Sequence, residues 1–194
     1  MVPLPYVWPY ALIFWGVFVW AFIPEMGIIR RARRTQGPTD SKSIQVITAV
    51  GSVGFFVAFP LAWLPALQVA ASYRVAAFVA GVVLLAGGSL LRRHCWRMLG
   101  ASFTGDVQVR PDQQIVERGA YRLVRHPSYT AGILMNVGVG IAVGSWASAL
   151  ILLVASVAAY GYRMRVEERA LLAGIGEPYA RFMQSRKRLL PFVY

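Results

Sequence analysis

The chain has 194 residues, is 57% hydrophobic and only 14% charged, with a mean hydropathy of +0.54. A soluble domain carries about 25% charged residues, so an ordinary soluble globule is excluded and a polytopic membrane protein is left. The net charge of +12 then reads as topogenic, and nucleic-acid binding is the weaker reading.

The first element is "WPYALIFWGVFVWAFIPEMGII", too long and too aromatic for a cleaved leader. It is expected to be a retained transmembrane helix over about 9–29. Further spans are predicted at 44–64, 74–91, 129–145 and 147–165. The last two are short and joined by "GSWAS", which implies a tight antiparallel hairpin. Clusters of Arg follow the first span ("RRARR", 30–34) and the third ("RRHCWR", 92–97). Because cationic residues gather on the cytoplasmic side, the expected topology puts the N-terminus outside. Segments 30–43, 92–128 and 166–194 then lie inside, with the C-terminus. The fold class is thus all-α, an integral membrane protein of about five transmembrane helices. It reads as a single domain over 1–194, with three N-terminal spans in 1–100 and the chemistry-bearing part in 101–194.

Three stretches could carry chemistry. In "GAYRLVRHPSYTAG" (119–132), Pro127 disfavours helical geometry at His126 and starts the fourth span there. The new helix end, with Ser128, Arg122 and Arg125, suits an anionic group; alternatively Arg125 and His126 snorkel to headgroups. In "YGYRMRVEERALL" (160–172), Arg163 and Glu167 stand four apart on one helical face, with Glu168 about 100° away. Paired carboxylates at the end of a span need cations or water; a solvated, salt-bridged helix end is the plainer reading. The tail "GEPYARFMQSRKRLLP" interleaves aromatics with Arg186, Lys187 and Arg188, as an interfacial segment gripping anionic lipid does. It could also cap a site.

Two lures are declined. "GVGIAVG" (138–144) lies within an apolar span with no preceding strand, so it is no nucleotide loop. Gly140 and Gly144 have the small-xxx-small spacing of close helix packing instead. His94, Cys95 and His126 lack metal-ligand spacing, and no metal is expected. The single cysteine also excludes an intramolecular disulfide.

The order G-x-Y-x-x-x-R-H-P-x-Y, a short hairpin, E-E and a terminal R-x-x-P resembles the isoprenylcysteine carboxyl methyltransferase family. That family belongs with other integral membrane methyltransferases, including phospholipid N-methyltransferases. The matching residues are Gly119, Tyr121, Arg125, His126, Pro127, Tyr129, Glu167, Glu168, Arg188 and Pro191, so the resemblance covers about 103–194. It implies S-adenosylmethionine as methyl donor, with S-adenosylhomocysteine as product. The implied cofactor contacts are Gln113, Gln114, Ile115 and Val116, Tyr121, then His126, Pro127, Ser128 and Tyr129, with Gln108 a weaker candidate and Glu167 on the cationic side. Arg163 matches the family arginine that meets the acceptor carboxylate, which makes Arg163 and Glu167 the implied catalytic pair. The implied partners are the lipid bilayer and an amphiphilic acceptor, a prenylated cysteine or a lipid, with the site facing the cytoplasm. If the acceptor were an amine, Glu168 becomes a candidate base. The chain departs from the pattern at Ala131, where glycine is common and Gly132 follows, and at Phe182 after Tyr179. Rival readings are a phospholipid amine N-methyltransferase, an NADPH-dependent sterol-type reductase, a transporter and a non-catalytic scaffold. The reductase is disfavoured by the paired carboxylates and short chain, the transporter by spans nearly free of charge at their centres.

Overall fold

The computed structural model describes residues 1–34, 43–100 and 115–190, without the side chains of 31–34. Among the described residues six α-helices follow one another: α1 Tyr10–Arg34, α2 Ser43–Leu61, α3 Arg74–Leu99, α4 Pro127–Ala142, α5 Trp146–Ile175 and α6 Glu177–Ser185. Each predicted span falls on one of the first five. Among the described residues four stretches are long and apolar enough to cross a bilayer: Tyr10–Arg30, Ser43–Leu61, Ala71–Leu99 and Trp146–Ile175. The fourth helix, α4, has 16 residues, about 24 Å at 1.5 Å per residue, short of the roughly 30 Å hydrocarbon core. It can be short because it is encased: Ala131, Met135, Val139 and Ala142 are all buried, and α3 and α5 flank it.

Two kinds of packing hold the bundle. On the α1–α2 side, rings interlock, with Trp15 stacked on Phe59 at 5.8 Å and Phe22 edge-on to Phe55 at 5.6 Å. Between α3 and α4, glycine lets the backbones meet. A Cβ on Gly81 would fall 2.3 Å from the Ala142 nitrogen, and one on Gly138 would fall 2.6 Å from that of Leu85. Without a strong hydrophobic drive between helices in lipid, such close approach is what dispersion requires. Gly140 behaves as expected, its Cβ position lying 2.4 Å from the Ala149 Cα. Gly144 does not pack. It turns the hairpin at φ +76°, and Ser145 then caps α5 by accepting from the Ser148 N–H at 3.2 Å.

Gly138→Ala is expected to lower the melting temperature in detergent by several degrees, since overpacking costs about 1–3 kcal/mol. Gly87→Ala, with nothing within 4 Å, is expected to be neutral or stabilising. A pair of thermal melts checks both.

Candidate active site

The site is built where α4 begins. Pro127 occupies the first turn, and His126 caps the helix with φ −124° and ψ 54°, the non-helical geometry the proline imposes. His126 does not snorkel to headgroups. It is 5% exposed, with Nε2 3.0 Å from Glu168 Oε1. Arg125 Nη2 reaches the same oxygen at 2.9 Å, and Arg188 Nη2 donates to Oε2 at 2.8 Å. Glu168 is itself buried. A buried carboxylate is tolerated only when paired and hydrogen-bonded, and here three charged or ionisable groups converge on it. Both oxygens are engaged, so the carboxylate is an electrostatic hub that holds Arg125, His126 and Arg188 together.

Those contacts also settle the tail. The Arg125 and His126 N–H groups donate to the Lys187 and Arg188 carbonyls at 2.8 and 2.9 Å, and Thr130 Oγ1 donates to the Leu189 carbonyl at 2.8 Å. Tyr179 and Phe182 are buried against the protein. The expectation that the tail's aromatics lie in the lipid interface is therefore overturned: the apolar face of α6 covers protein, and the tail straps the start of α4. The Tyr179–Phe182 departure from the family pattern keeps two aromatics in contact, with centroids 6.0 Å apart.

Glu167 points elsewhere, as a step of about 100° along a helix demands. It is half-buried and accepts a hydrogen bond from the Tyr129 hydroxyl. Tyr129 is clamped between two rings, His126 at 5.4 Å and Tyr160 at 5.1 Å. Gly132 makes this stack feasible, because a Cβ there would sit 2.3 Å from the Tyr160 hydroxyl; the glycine displaced by one position serves the pocket after all. Tyr121 is buried in the turn Gly119–Arg122. Burial pushes its phenol well above the ordinary value, helped by Cys95, Glu167 and Tyr129, so it stays a neutral donor at any physiological pH. Ile115 and Val116 are half-buried ahead of that turn, whereas Gln108, Gln113, Gln114 and Pro191 lie outside the described residues.

Arg163, one turn before Glu167, is 5% exposed and donates to Ser43 Oγ at the start of α2. Together with Ser128 and Tyr129 it lines a cavity of about 230 Å³. Its lining from α1 and α2 is mostly apolar, with Phe22, Ile28, Ile29, Ile44, Ile47 and Phe55, alongside Glu25, Thr48 and Ser52. The HPSY stretch and the α5 stretch 163–168 therefore meet, and Ser128, Tyr129 and Arg163 face a hollow with much hydrocarbon in its lining. Sequence reasoning missed two of its lining charges, Arg92 and Glu25. They form a two-pronged ion pair across α3 and α1. The only sequence signal for Arg92 was its place in "RRHCWR", which reads equally as topogenic. Among the described residues no group of His, Cys, Asp or Glu could hold a metal ion.

The comparisons bear on this architecture. Protein-S-isoprenylcysteine O-methyltransferase B of Arabidopsis thaliana is 28% identical over 115 residues, 58% of this chain and 58% of that protein. A probable protein-S-isoprenylcysteine O-methyltransferase of Oryza sativa subsp. indica is 26% identical over 58% of this chain and 60% of its own length. The match thus spans a little over half the length of these relatives. A solved structure, the eukaryotic intramembrane Ras methyltransferase isoprenylcysteine carboxyl methyltransferase, superposes with a TM-score of 0.64 at 22% identity, over 98% of this chain and 70% of that one. It shows the fold: an integral membrane helical bundle. The family model of the isoprenylcysteine carboxyl methyltransferases matches residues 79–173, which hold Arg92, the whole of α4 and the Arg163–Glu168 segment.

Proposed function

We propose that the protein transfers a methyl group from S-adenosylmethionine to the carboxylate of an isoprenylcysteine-like acceptor, on the cytoplasmic side of a membrane. The observation that carries the reading is the mixed lining of the cavity: Arg163, Ser128 and Tyr129 share it with hydrocarbon side chains of α1 and α2. An acceptor with an anionic head and an isoprenoid tail matches both kinds of lining.

The donor set suits the cofactor. Glu167 beside the Tyr129 and Tyr160 rings is an anionic and aromatic corner fit for a sulfonium or ammonium cation. The α4 end, with the hydroxyl of Ser128, suits a polar or anionic group. When bound, S-adenosylmethionine supplies an electrophilic methyl: a carboxylate oxygen forms the new C–O bond as the S–C bond breaks, leaving S-adenosylhomocysteine. Arg163 holds the acceptor carboxylate and aligns its oxygen. No general base is needed, because carboxylates titrate near 4 and are already ionised. The same point weighs against an amine acceptor, since the carboxylate such chemistry would recruit, Glu168, is held by Arg125, His126 and Arg188. Placing the site on the cytoplasmic side rests on the arginine clusters after the first and third spans.

Glu167→Ala is expected to weaken S-adenosylmethionine binding at least tenfold, measured by calorimetry on the purified protein in detergent. An unchanged affinity removes Glu167 from the cofactor site. NADPH binding in place of S-adenosylmethionine would move the protein to the reductase reading.

A further inference from the structure

Arg92 is a buried cation in the last third of α3, 8% exposed, where a charge is tolerated only when paired and hydrogen-bonded. Its guanidinium divides its donors among different elements. Nε and Nη2 take the Glu25 carboxylate of α1, the latter at 2.9 Å. Nη1 donates to the Ser128 carbonyl at 2.6 Å and lies 3.2 Å from the Ser128 hydroxyl. Its Cζ lies 5.3 Å from the centroid of the Trp96 ring and 5.6 Å from that of Tyr160 on α5.

If α1 had only to adhere to α3, apolar packing would serve as well or better, because a buried ion pair is often no more stabilising than hydrophobic residues of equal volume. What apolar packing cannot supply is direction. A planar fork fixes a carbonyl and a carboxylate at set angles, and a lysine, being a point charge, does not. The carbonyl so fixed belongs to the residue before Tyr129, and Tyr160 is the ring on which Tyr129 stacks.

We propose that Arg92 is a positioning residue: anchored by Glu25, it holds Ser128 and the Tyr160–Tyr129 stack in register at the start of α4, so that α1 sets the geometry of the methyl-transfer site. Its effect on turnover rests on the reaction proposed above; the clamp itself does not. A misplacement of about 1 Å costs on the order of a hundredfold in rate.

The test uses Arg92→Lys, which keeps the charge and loses the fork, with Arg93→Lys as the neighbouring control. Arg92→Lys is expected to lower kcat at least tenfold with both KM values within about threefold, and Arg93→Lys to match the parent. Independently of activity, Ser128→Cys in a Cys95→Ala background is expected to react at least tenfold faster with a small thiol reagent once Arg92→Lys is added. A kcat within twofold of the parent overturns the proposal, and so does an unchanged labelling rate. Restored turnover in the Glu25→Arg/Arg92→Glu exchange overturns it too, because a mere tie between helices survives inversion and the hold on Ser128 does not. Should the parent methylate no acceptor, the reaction reading falls, and the labelling rate alone decides the clamp.

Discussion

Arg163→Ala is expected to lower methyl transfer by roughly a thousandfold while S-adenosylmethionine affinity stays within about threefold. Removing one partner of a buried, hydrogen-bonded charge pair costs about 2–5 kcal/mol, and each 1.36 kcal/mol is a factor of ten in rate. Arg163 lines the cavity with Ser128, Tyr129 and the apolar side chains of α1 and α2, as the proposed grip on an amphiphile's anionic head requires. Its second contact, to Ser43, ties α5 to the start of α2, so alanine also loosens that joint. Arg163→Lys separates the two roles: it retains charge for the acceptor and is expected to recover part of the rate without restoring the parental level. Steady-state kinetics with a prenylated cysteine, alongside calorimetry for the donor, checks both. Equal turnover in Arg163→Ala and the parent removes Arg163 from the mechanism.

Glu168→Ala is expected to be the most destabilising single change around the start of α4. It leaves Arg125, His126 and Arg188 gathered without their shared counter-charge, and breaking a buried pair in this way costs about 3–5 kcal/mol. For a chain of this size each kcal/mol moves the melting point by about 2–4 °C, so a fall on the order of 10 °C is expected. The strap held at Arg188 should loosen with it, and limited proteolysis should then cut near 185–190 in the variant before the parent. Because the pairs are buried, raising the salt concentration in the parent should not mimic the substitution. A melting point unchanged within 2 °C or so would show that the tail is held by its main-chain bonds alone.

The arrangement was legible in the sequence to different depths. Apolar run length alone located the five bundle helices, because a bilayer demands long uninterrupted stretches. Pro127 marked the entry to α4, since its ring constrains His126 locally, although the fourth span was predicted from 129 and the helix begins at Pro127. What stayed hidden was pairing between distant segments. Glu25 and Arg92 stand 67 residues apart, and Ser43 and Arg163 stand 120 apart, distances over which no periodicity speaks. Arg92 and Arg93 are adjacent and chemically identical. One turns inward to Glu25 and Ser128, and the other reaches the Trp20 carbonyl at 2.6 Å on the outer side of α1. Only the rotation of α3 against its neighbours decides between them. The tail was misread for a related reason: its aromatic and basic pattern fits a lipid interface as well as it fits the back of a protein. The backbone bonds that dock it carry no side-chain signature.

The most direct test of the account is transfer of a labelled methyl group from S-adenosylmethionine by the purified protein in lipid, offered a prenylated cysteine and, separately, a phospholipid amine. Label in the prenylated cysteine that alkali releases as methanol, as a methyl ester does, is the predicted result. Label found only in the alkali-stable amine product, or in neither acceptor, would contradict it.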